Sequence, residues 1–389
     1  MTLRDEIDRL TPAALRARGG WKWTTYPPDV LPAWLAETDY PVSPRIVAAV
    51  RAAPSFGYVP PDRRLGEAFA GWADQVLGWS VEPDHTVPVV DVLAGIERVL
   101  QETTRPGDGV VVLTPAYPLF RDVIDTAGRV VVPCGLVDDG AGWSLDLVAL
   151  EAALCRPDVR SLLLCHPHNP TGRVWRPAEL RAIADLVDRH GRTVISDEIH
   201  APLTATGLRF VPYAAAHPAA VEHTVTVVSA SKAWGLAGLR TALLIGSPAT
   251  APVLRRVPRF ERVRGSGLGV TAAMAAWQDD TGWLDEALDY LDANRALLRD
   301  WVEATPGVTM REPEGTFLSW LDLRAAGLVG EPAEILLRTA RVALSAGAEY
   351  DAAGFARITY ATSRSILAAM LERIGGALRH AQTGRGVSG

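Results

Sequence analysis

The stretch SLLLCHPHNPTGRVWRPAELRAIADLVDRHGRTVISDEIH, residues 161–200, decides the fold. Its two ends, SLLLCHP (161–167) and RTVISDE (192–198), carry apolar runs without polar alternation, the pattern of strands covered on both faces. Between them Leu180, Ile183, Ala184 and Val187 recur at helical spacing, with Pro177 where a helix begins and Gly191 where one ends. Strand, helix, strand predicts a parallel pair joined by a crossover helix. The same alternation runs from residue 88 to 246, with buried strands expected at GVVVLTP (109–115), GRVVVPC (128–134), HTVTVVSAS (223–231) and RTALLIG (240–246). The fold class is therefore α/β. Residues 46–283 should form a large domain around a mostly parallel sheet of the seven-stranded type, with helices on both faces. Beyond it, a long helical stretch (284–304), then TFLSWLDL and FARITYA between helices, predict a smaller α+β domain over 284–389, joined by the segment 1–45.

Composition narrows the function classes. A net charge of −6 gives no electrostatic footprint for nucleic acid, which calls for a basic stripe or domain. Three cysteines, Cys134, Cys155 and Cys165, do not make a disulfide framework and suit a reducing compartment. The opening MTLRDEIDRL lacks the basic and apolar order of a signal peptide, and no apolar run reaches the ~18 residues of a membrane span. A cytoplasmic protein with no membrane partner is expected.

In open α/β sheets ligands sit outside the carboxyl ends of the strands. Four unusual stretches fall there: TPAYP (114–118), CHPHNPTG (165–172), SDEIH (196–200) and SASK (229–232). Of the 39 lysines and arginines only two are lysines, Lys22 and Lys232. An amine condenses with an aldehyde to an imine and a guanidinium does not, so Lys232 is either a Schiff-base residue, most naturally for pyridoxal 5′-phosphate, or a solvated surface lysine. Lys22 lies in an irregular stretch and reads as structural. Asp197 could pair with a pyridine nitrogen or cap a helix. Ser229, Ser231 and Arg240, with the first-turn amides of DVLAGIERVL (91–100), could cradle a phosphate. Tyr117 could stack on a ring and Asn169 could donate to its hydroxyl. The histidines and cysteine of CHPH (165–168) do not match a closed zinc site, so no metal is expected.

These motifs in this order resemble fold-type I pyridoxal-phosphate enzymes of the class I/II aminotransferase superfamily. More narrowly, they are similar to the cystathionine β-lyase/C–S lyase branch related to MalY and PatB. The resemblance spans residues 21–375 and rests on KWTTYPPDVLPAWLAETDYP, FGYVPP, RPGDGVVVLTPAYPLF, CHPHNPTGRVW, VISDEIHAPL, SASKAWGLAGLR, EGTFLSWLD and GFARITYATSR. It implies that Lys232 holds the cofactor and moves the Cα proton. Asp197, Asn169 and Tyr117 would serve the ring; Ser229, Ser231, Arg240 and the backbone of Val92 and Leu93 would bind the phosphate. Arg357 would clamp the substrate carboxylate, and His200 would lie near the ring or be a packing histidine. Tyr58 would reach the phosphate of a neighbouring subunit, which implies a homodimer. The implied activity is β-elimination of an S-substituted L-cysteine to thiol, pyruvate and ammonia. Gly235, where the branch has asparagine, Asp351, where it has glycine, and Thr359, where asparagine usually follows, leave transamination or decarboxylating deamination as alternatives. A regulatory binding protein without turnover is the reading from another class.

Overall fold

The computed structural model describes residues 2–57, 60, 62–140 and 142–385. Its large sheet has seven strands: β1 (Thr86–Val89), β2 (Gly109–Thr114), β3 (Val130–Gly135), β4 (Val159–Cys165), β5 (Thr193–Asp197), β6 (Thr224–Val228) and β7 (Ala242–Ile245). They lie in the order β1-β7-β6-β5-β4-β2-β3. Strands β3, β2, β4, β5 and β6 pair in parallel, and β7 runs antiparallel to both its neighbours.

Side chains from β2 and β4 alternate between two cores, as a pleated strand requires. Val110, Val112 and Leu163 pack on one face with Ile96 and Val99 of α1 (Val92–Thr103) and Phe120 and Val123 of α2 (Pro118–Thr126). Val111, Leu113, Leu162 and Leu164 pack on the other with Leu180 and Ile183 of α3 (Pro177–Arg189). Both faces are covered, so the continuous apolar runs are explained. Gly191 follows α3 at φ +60, the left-handed conformation that ends helices.

One expectation needs correction. GRVVVPC is not a buried strand: β3 is the sheet edge, with Val130 51% exposed and its residues alternating between water and core. RTALLIG is the buried strand expected, and it is the one member of the mostly parallel sheet that runs antiparallel to both its neighbours. In addition, β1 was not anticipated, because Pro88 interrupts its pattern; it lies at the opposite edge, where proline is tolerated.

The C-terminal part carries a four-stranded sheet of β8 (Thr309–Met310), β9 (Leu318–Asp322), β10 (Ser345–Ala346) and β11 (Phe355–Thr359), ordered β8-β9-β11-β10. It packs with the long helix α4 (Trp283–Glu303) and with α5 (Arg364–Arg385). The N-terminal segment joins it, as Leu31–Pro32 pairs in parallel with Val342–Ala343. Among the described residues no helix is long and apolar enough to cross a membrane.

Candidate active site

The loops after β2, β4, β5 and β6 leave the same end of the parallel sheet, so TPAYP, CHPHNPTG, SDEIH and SASK converge. Connections run outward in opposite directions from the neighbouring pair β2 and β4, which makes the gap between them a switch point of the topology. A cavity of about 140 Å³ opens there, and its lining includes Tyr117, Asn169, Asp197, His200, Ser229, Ser231, Lys232, Arg240, Val92 and Leu93. Of the twelve residues singled out from the sequence, Arg357 adjoins this set through a bond to Asn169. Tyr58 lies outside the described residues.

Lys232 is half-buried and donates from Nζ to the carbonyl of Ala36 at 2.8 Å. Burial pulls its amine from the usual 10.5 down to about 8, and the Arg357 guanidinium adds to this against the opposing pull of Glu37 and Asp197. Asp197 ends β5. Its Oδ1 accepts the Ile199 amide at 3.1 Å, and among the described residues no cation bonds it directly. Burial raises its carboxyl to about 7, although the Ile199 amide and Lys232 pull it down. Asp197 caps no helix in the described structure. A buried carboxylate with one oxygen unengaged is suited to a cationic N–H donor from a ligand.

The anion-binding side is built from helix α1. Asp91 caps it, accepting the Ala94 amide at 2.8 Å, which leaves the amides of Val92 and Leu93 ahead of the first intrahelical bond. Arg240 pairs with Asp91 from an exposed position in the left-handed backbone region (φ +50). Ser229 turns its hydroxyl inward to the Thr241 carbonyl at 2.7 Å and accepts the Ser231 amide at 3.1 Å. The Ser231 hydroxyl has no intramolecular partner among the described residues. Tyr117 precedes α2 and stands edge-on to Phe120, with ring centroids 5.5 Å apart.

Arg357, 4% exposed on β11, donates to Asn169 Oδ1 at 3.1 Å, to the Trp34 carbonyl at 2.8 Å and to Ser345 Oγ at 3.1 Å. Its Nε is buried without a partner. His200 Nδ1 is likewise buried and unpartnered, and burial, then Lys232 and Arg357, hold the imidazole well below its ordinary range, hence neutral. The CHPH histidines are otherwise engaged: His166 Nε2 lies 3.1 Å from the Val211 carbonyl, and His168 Nδ1 lies 2.8 Å from Thr171 Oγ1.

The departures from the branch pattern have a conformational account. Gly235 has φ +68 and Asp351 has φ +62, in the left-handed region that glycine and, among other residues, Asn and Asp enter most readily. Both positions thus have a backbone conformation that Gly, Asn and Asp all enter more readily than other residues. Asp351 gains an ion pair with Arg121 of α2 at 2.5 Å. Thr359 donates from Oγ1 to the Leu35 carbonyl at 2.9 Å. Sequence reasoning missed Ala36, Trp34 and Ser345, which meet Lys232 and Arg357. Two of these three act through backbone carbonyls, which no residue type announces.

Fold and site together define a class: an α/β enzyme scaffold with helices on both faces of its sheet and with a lysine, a buried carboxylate and a helix N-terminus around one cavity. The chain belongs to the class I and II aminotransferase family, whose pattern matches residues 35–374. It is 32% identical to the cystathionine beta-lyase PatB of Bacillus subtilis, over 90% of this chain and 93% of that protein. It is equally 32% identical to the cystathionine beta-lyase of Corynebacterium glutamicum, over 94% and 98%. Among solved structures, cystalysin from Treponema denticola, which contains pyridoxal 5′-phosphate, superposes with a TM-score of 0.90 at 25% identity, covering 96% of this chain and 99% of that one.

Proposed function

We propose that this chain is a pyridoxal-phosphate-dependent C–S β-lyase acting on an S-substituted L-cysteine. The observation that carries the reading is the pair formed by Lys232, whose amine is held near neutrality, and Asp197, buried with an oxygen free, on one cavity. The residues present fit the cofactor. Asp197 would meet the pyridine nitrogen, Asn169 the ring hydroxyl and Tyr117 the ring face. The amides of Val92 and Leu93, with Ser229, Ser231 and Arg240, would hold the phosphate, and His200 would border the ring. Bound there, pyridoxal phosphate supplies an electron sink for the pair left at Cα when its proton departs.

The chain's own residues do the rest. Arg357 holds the substrate α-carboxylate in a two-point clamp and so orients the Cα–H bond. Lys232 takes the Cα proton on Nζ, a step for which a lysine near pKa 8 is better matched than one near 10.5. Asp197, as a carboxylate, would accept from the ring nitrogen and so favour its protonated form. The Cα–H and Cβ–S bonds break, water is taken up, and thiol, pyruvate and ammonia leave. On this reading residues 46–283 hold the cofactor, while 284–389 with 1–45 carry the clamp. The reading also brings a homodimer, with Tyr58 of one subunit serving the neighbouring cradle.

Product analysis tests the reaction. Purified protein with pyridoxal phosphate and S-alkyl or S-aryl cysteine should yield equimolar pyruvate and free thiol by mass spectrometry. A sulfur-retaining keto acid or aldehyde would instead make it a transaminase or a decarboxylating deaminase. The lysine has its own test. Uptake of pyridoxal phosphate by cofactor-free protein needs the neutral amine, so its rate should climb with pH and level off around a midpoint near 8. A midpoint near 10.5 would mean that Lys232 is solvated.

A further inference from the structure

The second lysine of the chain is tied to the first. Lys22 falls in the short helix Trp21–Thr24, not in an irregular stretch, and is 2% exposed. Its Nζ lies 3.0 Å from Asp39 Oδ1 and donates to the Glu37 carbonyl at 3.0 Å. Asp39, 3% exposed, also accepts from Trp23 Nε1 at 2.7 Å, and its carbonyl accepts from Arg18 at 2.8 Å. The pair therefore anchors one end of the segment 33–39.

Five consecutive carbonyls of that segment are engaged. Ala33 accepts the Thr359 amide at 2.9 Å, and Trp34 accepts Arg357 Nη2 at 2.8 Å and Ser345 Oγ at 2.7 Å. Leu35 accepts Thr359 Oγ1 at 2.9 Å, Ala36 accepts Lys232 Nζ at 2.8 Å, and Glu37 accepts Lys22. The two lysines thus sit on neighbouring carbonyls, and the same strand of backbone touches Arg357. The segment also lies against the Lys232 loop, since a Cβ at Gly235 would come within 3.1 Å of Thr38. An ammonium is compact enough to reach one carbonyl and one carboxylate in this closed space, whereas a planar guanidinium needs a wider fork.

We infer that Lys22 is a positioning residue: its buried pair with Asp39 fixes the peptide run 34–37, which sets where Lys232 and Arg357 stand. The inference rests on the functional reading of those two residues. Lys22→Met alone would strand the Asp39 carboxylate, so the variant is Lys22→Met combined with Asp39→Asn, which removes both charges and leaves the net charge of the chain unchanged. In it, KM for the S-substituted cysteine should rise about tenfold as Arg357 loses its fixed acceptor, with a smaller change in kcat. Loss of the Ala36 acceptor disfavours the ammonium of Lys232, so the pH midpoint of pyridoxal phosphate uptake should fall by about half a unit or more. A purely structural pair would lower the melting temperature and leave both values alone, and that result would overturn the inference. Should the double variant not fold, Lys22→Arg keeps the charge but displaces the donors, and is expected to shift the same two values. Wild-type values there, or failure of this variant to fold as well, would reduce the pair to a stability element. If Lys232→Ala and Arg357→Ala leave activity intact, the functional reading itself fails and the inference falls with it; if both abolish activity while the Lys22 variants keep wild-type KM and uptake midpoint, only the inference fails.

Discussion

Lys232→Ala should bind pyridoxal phosphate without the visible absorbance that a lysine-bound cofactor gives, and should lose nearly all turnover. The absorbance depends on a covalent bond that only this amine can make at the cavity, since the other lysine, Lys22, is sealed against Asp39 and Glu37. Removing a general base alone costs about 10²–10⁴-fold, and here the anchor goes with it, so the loss in kcat should reach at least the upper end of that range. Cofactor binding itself should weaken less, because Asp197, the α1 amides and Tyr117 are untouched. The spectrum, recorded before and after dialysis, separates the two effects. An unchanged visible band would refute the assignment of Lys232.

Arg357→Ala should raise KM for amino-acid substrates with little effect on cofactor retention. The guanidinium is buried, held by Asn169, Trp34 and Ser345, and its Nε has no partner. A charged clamp already oriented loses little freedom when a carboxylate arrives, so its bonds should count near the full value for charged hydrogen bonds, about 1.5–3 kcal/mol each. Losing the two-point contact should therefore lower kcat/KM by about 10²-fold or more. Arg357→Lys should recover only part of it, because an ammonium cannot reproduce the planar fork. Steady-state kinetics of both variants give the answer, and wild-type KM in Arg357→Ala would place the carboxylate elsewhere.

The fold is most legible in the chain where burial leaves a mark on residue type. Strands β2, β4, β5 and β6 are covered on both faces and consequently written as unbroken Val, Leu and Ile. Strand β3, exposed along one side, and β1, with Pro88 at the opposite edge, carry weaker or misleading patterns for the same reason. The site followed the same rule. Lys232, Asp197, Asn169, Tyr117 and Arg357 are legible because their side chains are the chemistry, and few other residue types could replace them.

By itself, then, the sequence determined the α/β class, the rim on which the site lies and most of the groups that act there, since each of these is encoded by side-chain chemistry or by the period of apolar residues. Tertiary structure alone decided what those groups rest on. The carbonyls of residues 33–37 look alike at every position of any chain, and only folding brings them under Lys22, Lys232 and Arg357. The left-handed backbone at Gly235 and Asp351 likewise became visible only in three dimensions, and it explains why residues of the Gly, Asn and Asp type stand at both positions. A side chain announces what it can do, but the backbone around it is identical everywhere until the fold gives it a place.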